Sequence, residues 1–164
     1  MKILPVALFA ALIAGPALAA TATPADKAFV AKVSQGGMFE VDAGKLAETK
    51  GSTQDVRDFA AAEVHDHMLV GARLKAISAS EGVTFASTPN AEFAGKMATL
   101  KRLSGAAFDQ AYMSDMAALH DADGAAFLKE STEGGSVAYR AFGAETHKIV
   151  QRHIGAIHGT QPPR

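Results

Sequence analysis

Apolar residues recur three and four positions apart through most of the chain, and no run alternates apolar with polar. That period belongs to helices that bury one face, not to strands. A first helix is predicted to open at Pro24 or Asp26, after a loose lead-in, and to run to about Lys50 before Gly51. Phe29, Val33, Gly36, Glu40, Gly44 and Ala47 share its inner stripe. Ser52 or Thr53 caps a second helix, about Gln54 to Ser80, whose seam reads Val56, Ala60, Glu63, His67, Val70, Leu74 and Ile77. So short a connection forces an antiparallel hairpin.

A second hairpin follows the same logic. The third long helix is expected from Gly105, capped by Ser104, to about Glu130, with Phe108, Tyr112, Met116, Leu119 and Phe127 inward and His120 and Asp123 among them. Ser131 to Ser136 reads as a turn, and the fourth helix runs to about His158 with Phe142, Ile149, His153 and Ile157 on one face. Between the hairpins, residues 81–103 are long enough to carry the chain from one end of a bundle to the other, with room for a short extra helix from Ala91 to about Arg102 capped by Asn90. The predicted fold is all-α: a ferritin-like antiparallel four-helix bundle with a long crossover between its second and third long helices. Gly36-Gly37 in mid-helix implies close approach of a neighbouring helix, because each Gly otherwise costs about 1 kcal/mol relative to Ala.

Composition adds compartment and excludes several chemistries. Lys2, the apolar stretch Ile3–Leu18 and the small-residue signal Ala17-Leu18-Ala19 predict a secretory signal peptide over residues 1–19, leaving 20–164 as one exported, periplasmic or otherwise extracytoplasmic domain with a disordered tail at 159–164. With no cysteine, disulfides, thiolate metal sites and thioether-attached haem are excluded. The formal net charge of -1 comes with no basic block, so nucleic acid is a poor partner and an unknown protein partner stays open. A nucleophilic triad has nowhere to sit without a cysteine or a strand-to-helix serine, which argues against an enzyme of that kind.

What stands out is polarity where a core should be. Glu40, Glu63, His67, His120 and His153 put at least one carboxylate or imidazole from each long helix on an apolar face, which is how bundles build metal sites. Glu40 and Glu63 are equally far from the Gly51 turn, so they should meet at one level, with His67 a turn deeper. Measured from Glu133, His120 is level with His147 rather than His153, so the spacing favours the cluster Glu40/Glu63/His67 over one site shared by four helices. Di-iron centres need Glu followed three residues later by His on two helices; here Glu63 is followed by Asp66, and His120 precedes Asp123. A mononuclear iron, zinc or copper site is therefore the expectation, with Asp66 and Asp123 as supporting carboxylates. Met113 and Met116 near His120 would suit copper, but methionine at helical spacing is ordinarily core filling. Asp66 otherwise falls with Asp55, Arg57, Asp58, Arg73 and Lys75 on a solvated face, and His65, His147 and His158 read as surface residues. The bland reading of each inward His is a satisfied polar group, and that of Glu63/His67 an i,i+4 pair worth about 0.2–0.5 kcal/mol.

Three stretches resemble a known family. Gln35-Gly36-Gly37-Met38-Phe39-Glu40-Val41, then Val56-Arg57-Asp58-Phe59-Ala60 leading to Asp66-His67, and Leu103-Ser104-Gly105-Ala106-Ala107-Phe108-Asp109 with Tyr112-Met113 are similar to the bacterial domain of unknown function 4142 family. The resemblance implies an exported ferritin-like bundle, and its pattern matches Glu40, His67, His120 and His153. His147-Lys148 departs from the Leu-Pro usual there, which puts the direction of His153 in question. The family's outer-membrane label sits poorly with an all-helical pattern, since a membrane barrel is built of strands. The expected function is an exported bundle that binds a metal ion through core Glu and His residues. The alternative is a metal-free envelope or stress-related interaction protein whose buried polar groups set helix register.

Overall fold

Side-chain caps set where the helices begin. In the computed structural model, which describes residues 21–159, these are α1 (Pro24–Lys50), α2 (Gln54–Ser80), α3 (Ala91–Arg102), α4 (Gly105–Glu133) and α5 (Val137–Ile157). Thr23 and Asp26 form a reciprocal capping box around Pro24, while Thr53, Asn90 and Ser136 each accept a backbone N–H of their own first turn. Ser104 occupies the same position before α4 but makes no side-chain cap, contrary to expectation. The expected signal peptide and all but the first residue of the expected tail lie outside the described residues.

The helix predicted to stop near Glu130 runs one turn further. Ser131 and Thr132 turn their hydroxyls back onto the carbonyls of Leu128 and Lys129, so they continue the helix, and the Gly134 N–H closes on Glu130. The turn proper is Gly134–Ser136.

Two lengthwise hairpins, α1/α2 and α4/α5, pack as a square through α1 against α4 and α2 against α5. Buried carboxylates pin both ends. Asp26 accepts from the backbone N–H groups of Gly135 and Ser136, which ties the start of α1 to the second hairpin turn. Asp109 on α4 accepts from Ser52 at the first hairpin turn. Thus α1 and α5 run one way and α2 and α4 the other, the arrangement that a single long crossover produces. The crossover helix α3 lies outside the square, where Phe93 stacks on Phe39 and the Lys50 ammonium donates to the last carbonyls of α3, Leu100 and Lys101. Among the described residues no helix is long and apolar enough to cross a membrane.

Small residues let the helices approach. A methyl group on Gly44 would meet Val64 and the Ala60 carbonyl of α2, and one on Gly36 would stand 3.1 Å from the Asp123 carboxylate of α4. A Cβ on Gly37 would meet only the Glu40 carboxylate of its own helix, at 4.0 Å, so of the pair only Gly36 is a contact with another helix. Two apolar clusters result. One gathers Phe39, Phe59, Phe108, Tyr112 and Met116 towards the Ser52 end; the other gathers Phe29, Val33, Leu74, Phe127 and Phe142 towards the Asp26 end. The polar layer lies between them.

In the second hairpin α5 comes against the α4 backbone at Gly143, where a Cβ would fall 2.8 Å from the Phe127 carbonyl and 2.9 Å from the Ser131 N–H. Gly71, by contrast, sits mid-helix with nothing in the way. In urea unfolding, Gly143→Ala should therefore lose about 1–3 kcal/mol as α4 and α5 are pushed apart. Gly71→Ala should gain up to about 1 kcal/mol from helix propensity alone. Equal midpoints for the two variants would contradict this packing.

Candidate metal centre

α1 contributes Glu40, α2 Glu63, Asp66 and His67, α4 His120 and Asp123, and α5 His153. All seven are buried. Glu63 is the hub: His153 Nδ1 lies 2.7 Å and His120 Nε2 3.2 Å from its Oε1, and His67 Nε2 lies 3.4 Å from its Oε2. His120 Nε2 and His153 Nδ1 are 3.1 Å apart. One nitrogen or carboxylate oxygen from each of Glu63, His67, His120 and His153 lies within 4.8 Å of the other three.

Each imidazole is held from behind by its other nitrogen. His67 Nδ1 is 2.9 Å from Glu40 Oε2, His120 Nδ1 is 2.8 Å from the Met116 carbonyl, and His153 Nε2 is 2.9 Å from Asp66 Oδ2. When those outer nitrogens carry the proton and donate it outward, three lone pairs and a carboxylate face one point. Arg152 in turn donates to Asp66 Oδ2 at 2.5 Å. An acceptor behind each imidazole, fixing ring and tautomer, is the usual support of a histidine metal site. The inner atoms match it: both oxygens of Glu63 and Nε2 of His67 are buried without a well-aligned hydrogen bond. Ligands of a tetrahedral ion at about 2.0–2.1 Å sit about 3.4 Å apart, so small side-chain rotations would bring these four into a coordination shell.

The electrostatics are those of an anion wrapped in imidazoles. Burial would push Glu63 up, but the contacts from His120 and His153 and the charges of His120 and His67 outweigh it and hold this carboxyl well below its usual range. Burial likewise works against a charged His120, yet Glu63 and Glu40 raise it to about 9. His67 is raised for the same reason, chiefly by Glu40. Asp66 is lowered, because its bonds to His153 and Arg152 outweigh its burial. Asp123 goes the other way: burial and the Glu40 charge push it up to about 7.

The structure thus arranges the sequence candidates differently from the spacing argument. Glu40 stands behind His67 rather than beside Glu63, and His120 and His153 join Glu63 and His67 directly. Helical rise alone misplaced the second pair. His153 is three residues further from the Gly135 turn than His120, about 4.5 Å along the axis. Because Cα–Cβ bonds tilt towards a helix N-terminus, however, the His153 side chain leans towards that turn and the His120 side chain away from it. The tilts close the gap, and the His147-Lys148 departure does not turn His153 outward. His147 is half-buried, with Nδ1 3.1 Å from the Gly124 carbonyl, not a free surface residue. Asp66 is buried against α5 instead of lying on the solvated face. Arg152 went unread in the sequence; its one signal was its place beside His153. Asp123 remains apart from the four, on the α1 side of α4, with the Lys32 ammonium 3.6 Å from its Oδ1.

No curated protein matches the chain. Among solved structures it is similar in fold to the crystal structure of a DUF305 fragment from Deinococcus radiodurans, with a TM-score of 0.74 and 16% identity over 85% of this chain and 96% of that one. The model of the domain of unknown function DUF4142 matches residues 13–159, and the chain belongs to that family.

Proposed function

We propose that this protein is an exported bundle that holds one divalent transition-metal ion through Glu63, His67, His120 and His153. The observation that carries the reading is the convergence of four buried donors, each imidazole oriented from behind, with both Glu63 oxygens and His67 Nε2 lacking a well-aligned hydrogen bond. Three imidazoles and a carboxylate suit zinc, copper or iron, and four protein donors make a closed set of the kind that retains an ion. Export is supported by the charged, apolar and small-residue segments of residues 1–19. The rival is a metal-free bundle in which protons on the imidazoles neutralise Glu63 and the polar layer serves to set helix register.

Metal analysis separates the two. After removal of metal and refilling with Zn2+ or Cu2+, the mature protein should hold one ion per chain by elemental analysis. His120→Ala should abolish retention, and Asp66→Asn should weaken affinity about 10–100-fold by freeing His153. Substoichiometric metal in the refilled wild type would favour the register-setting reading.

The pH dependence has a defined sign. His120 is raised from an ordinary 6.5 to about 9, so its stabilisation of the ion-free fold is complete below pH 6.5 and is lost as the pH rises through about 9. Glu63 is lowered from an ordinary 4.5, so its contribution is present above that pH and is lost on acidification. A bound ion replaces the imidazole protons. The rise in Tm on adding metal should accordingly be larger at pH 9 than at pH 6, measured by thermal unfolding with and without Zn2+. An equal rise at both pH values would oppose ligation by His120.

A further inference from the structure

Resting on the reading that the four donors hold an ion, a second question is how an ion reaches them. None of the four is more than 3% exposed, so the centre has no direct face to water. Beside it, between α1 and α2, is a cavity of about 380 Å³ whose walls include His67, Glu40 and Asp123. Its other walls include Met68, which is 54% exposed, so the cavity runs from the surface to one donor imidazole. Asp123 also lines a second cavity of about 460 Å³ on the far side of α1, against α3 and α4. The carboxylate therefore stands where both spaces meet, beside Gly36, whose missing side chain leaves it room.

Two buried oxygens here lack hydrogen bonds: Asp123 Oδ1 and Glu40 Oε1. The other Glu40 oxygen holds His67 Nδ1 at 2.9 Å. Facing Asp123 Oδ1 at 3.6 Å is the Lys32 ammonium, on a side chain 51% exposed that also donates to the Ala122 carbonyl. A half-solvated ammonium at that distance is a counter-charge that an arriving cation can displace. A buried carboxylate lowers the barrier for a cation leaving water, as charge-lined clefts do for diffusing ions.

We propose that Asp123 and Glu40 form the intake of the metal centre, a transient carboxylate station from which a divalent cation passes to His67, with Lys32 holding its place when none is bound. The step is ligand exchange: water leaves the ion, carboxylate oxygens replace it, and imidazole nitrogens replace those in turn. Such a station lies on the path and not in the final shell, so altering it changes loading and release by the same factor.

Stopped-flow mixing of the ion-free full-length mature protein with Co2+, followed by its visible d–d absorption, tests this, with release measured against excess chelator. Asp123→Asn should slow loading and release together by at least about tenfold, leaving their ratio within about threefold of wild type. Lys32→Gln, an exposed change with little bearing on folding, should speed both. Wild-type rates in both variants would overturn the intake, as would an Asp123→Asn defect confined to release, which would place Asp123 in the final shell. Failure of the wild-type protein to take up Co2+ at all would overturn the metal reading and the intake with it.

Discussion

A carboxylate buried at the centre of an apolar bundle is the constraint to which the other features answer. Glu63 has no access to water, and an isolated charge in that setting costs several kcal/mol even after relaxation. Three imidazoles from three helices surround it, and each imidazole is steadied by an acceptor of its own. Glu40, the Met116 carbonyl and Asp66 are thus bound to the same problem at one remove, and Arg152 at two. The layer works only as a whole. Removing any member leaves a buried polar group facing nothing, which is more costly than the missing contact itself.

The apolar parts of the fold hold that layer in place. One cluster lies towards the first hairpin turn and the other towards the second, so that donors from α2, α4 and α5 are kept buried and at one height. Small residues on α1 and α5 allow the helices close enough for short side chains to meet. Asp26 and Asp109 fix the hairpins end to end through backbone N–H groups rather than through further apolar surface. The fold shared with the DUF305 fragment supplies this scaffold at low sequence identity, and a scaffold of that kind carries no chemistry by itself. Whatever the protein does is in the residues placed on it.

Much of the fold was legible in the sequence because its causes are local. Period, caps and the length of the crossover are set by neighbouring residues, so α1, α2 and even the short α3 fall where Gly51, Thr53 and Asn90 direct. Glu63 and His67 could be paired because an i,i+4 spacing puts both on one helical face whatever surrounds it. For Asp66 the spacing allowed both a solvated face and a supporting carboxylate and could not choose between them, because α2 packs on both α1 and α5 and so buries a wider arc than a two-helix seam suggests. Equal distance from the Gly51 turn set Glu40 level with Glu63, but Gly44 is the α1 residue that packs on Glu63, and Glu40 lies a turn deeper against His67.

The sequence by itself determined four long helices with room for a short fifth, two antiparallel hairpins and five of the polar residues that face inward, since periodicity and capping depend on neighbours along the chain. Only the tertiary structure decided that His120 and His153 meet Glu63 while Glu40 steps behind His67. The physical reason is that such a meeting depends on side-chain tilt, on the true position of the turn and on the packing of four helices at once, to differences smaller than one helical turn. Spacing along one helix carries none of that.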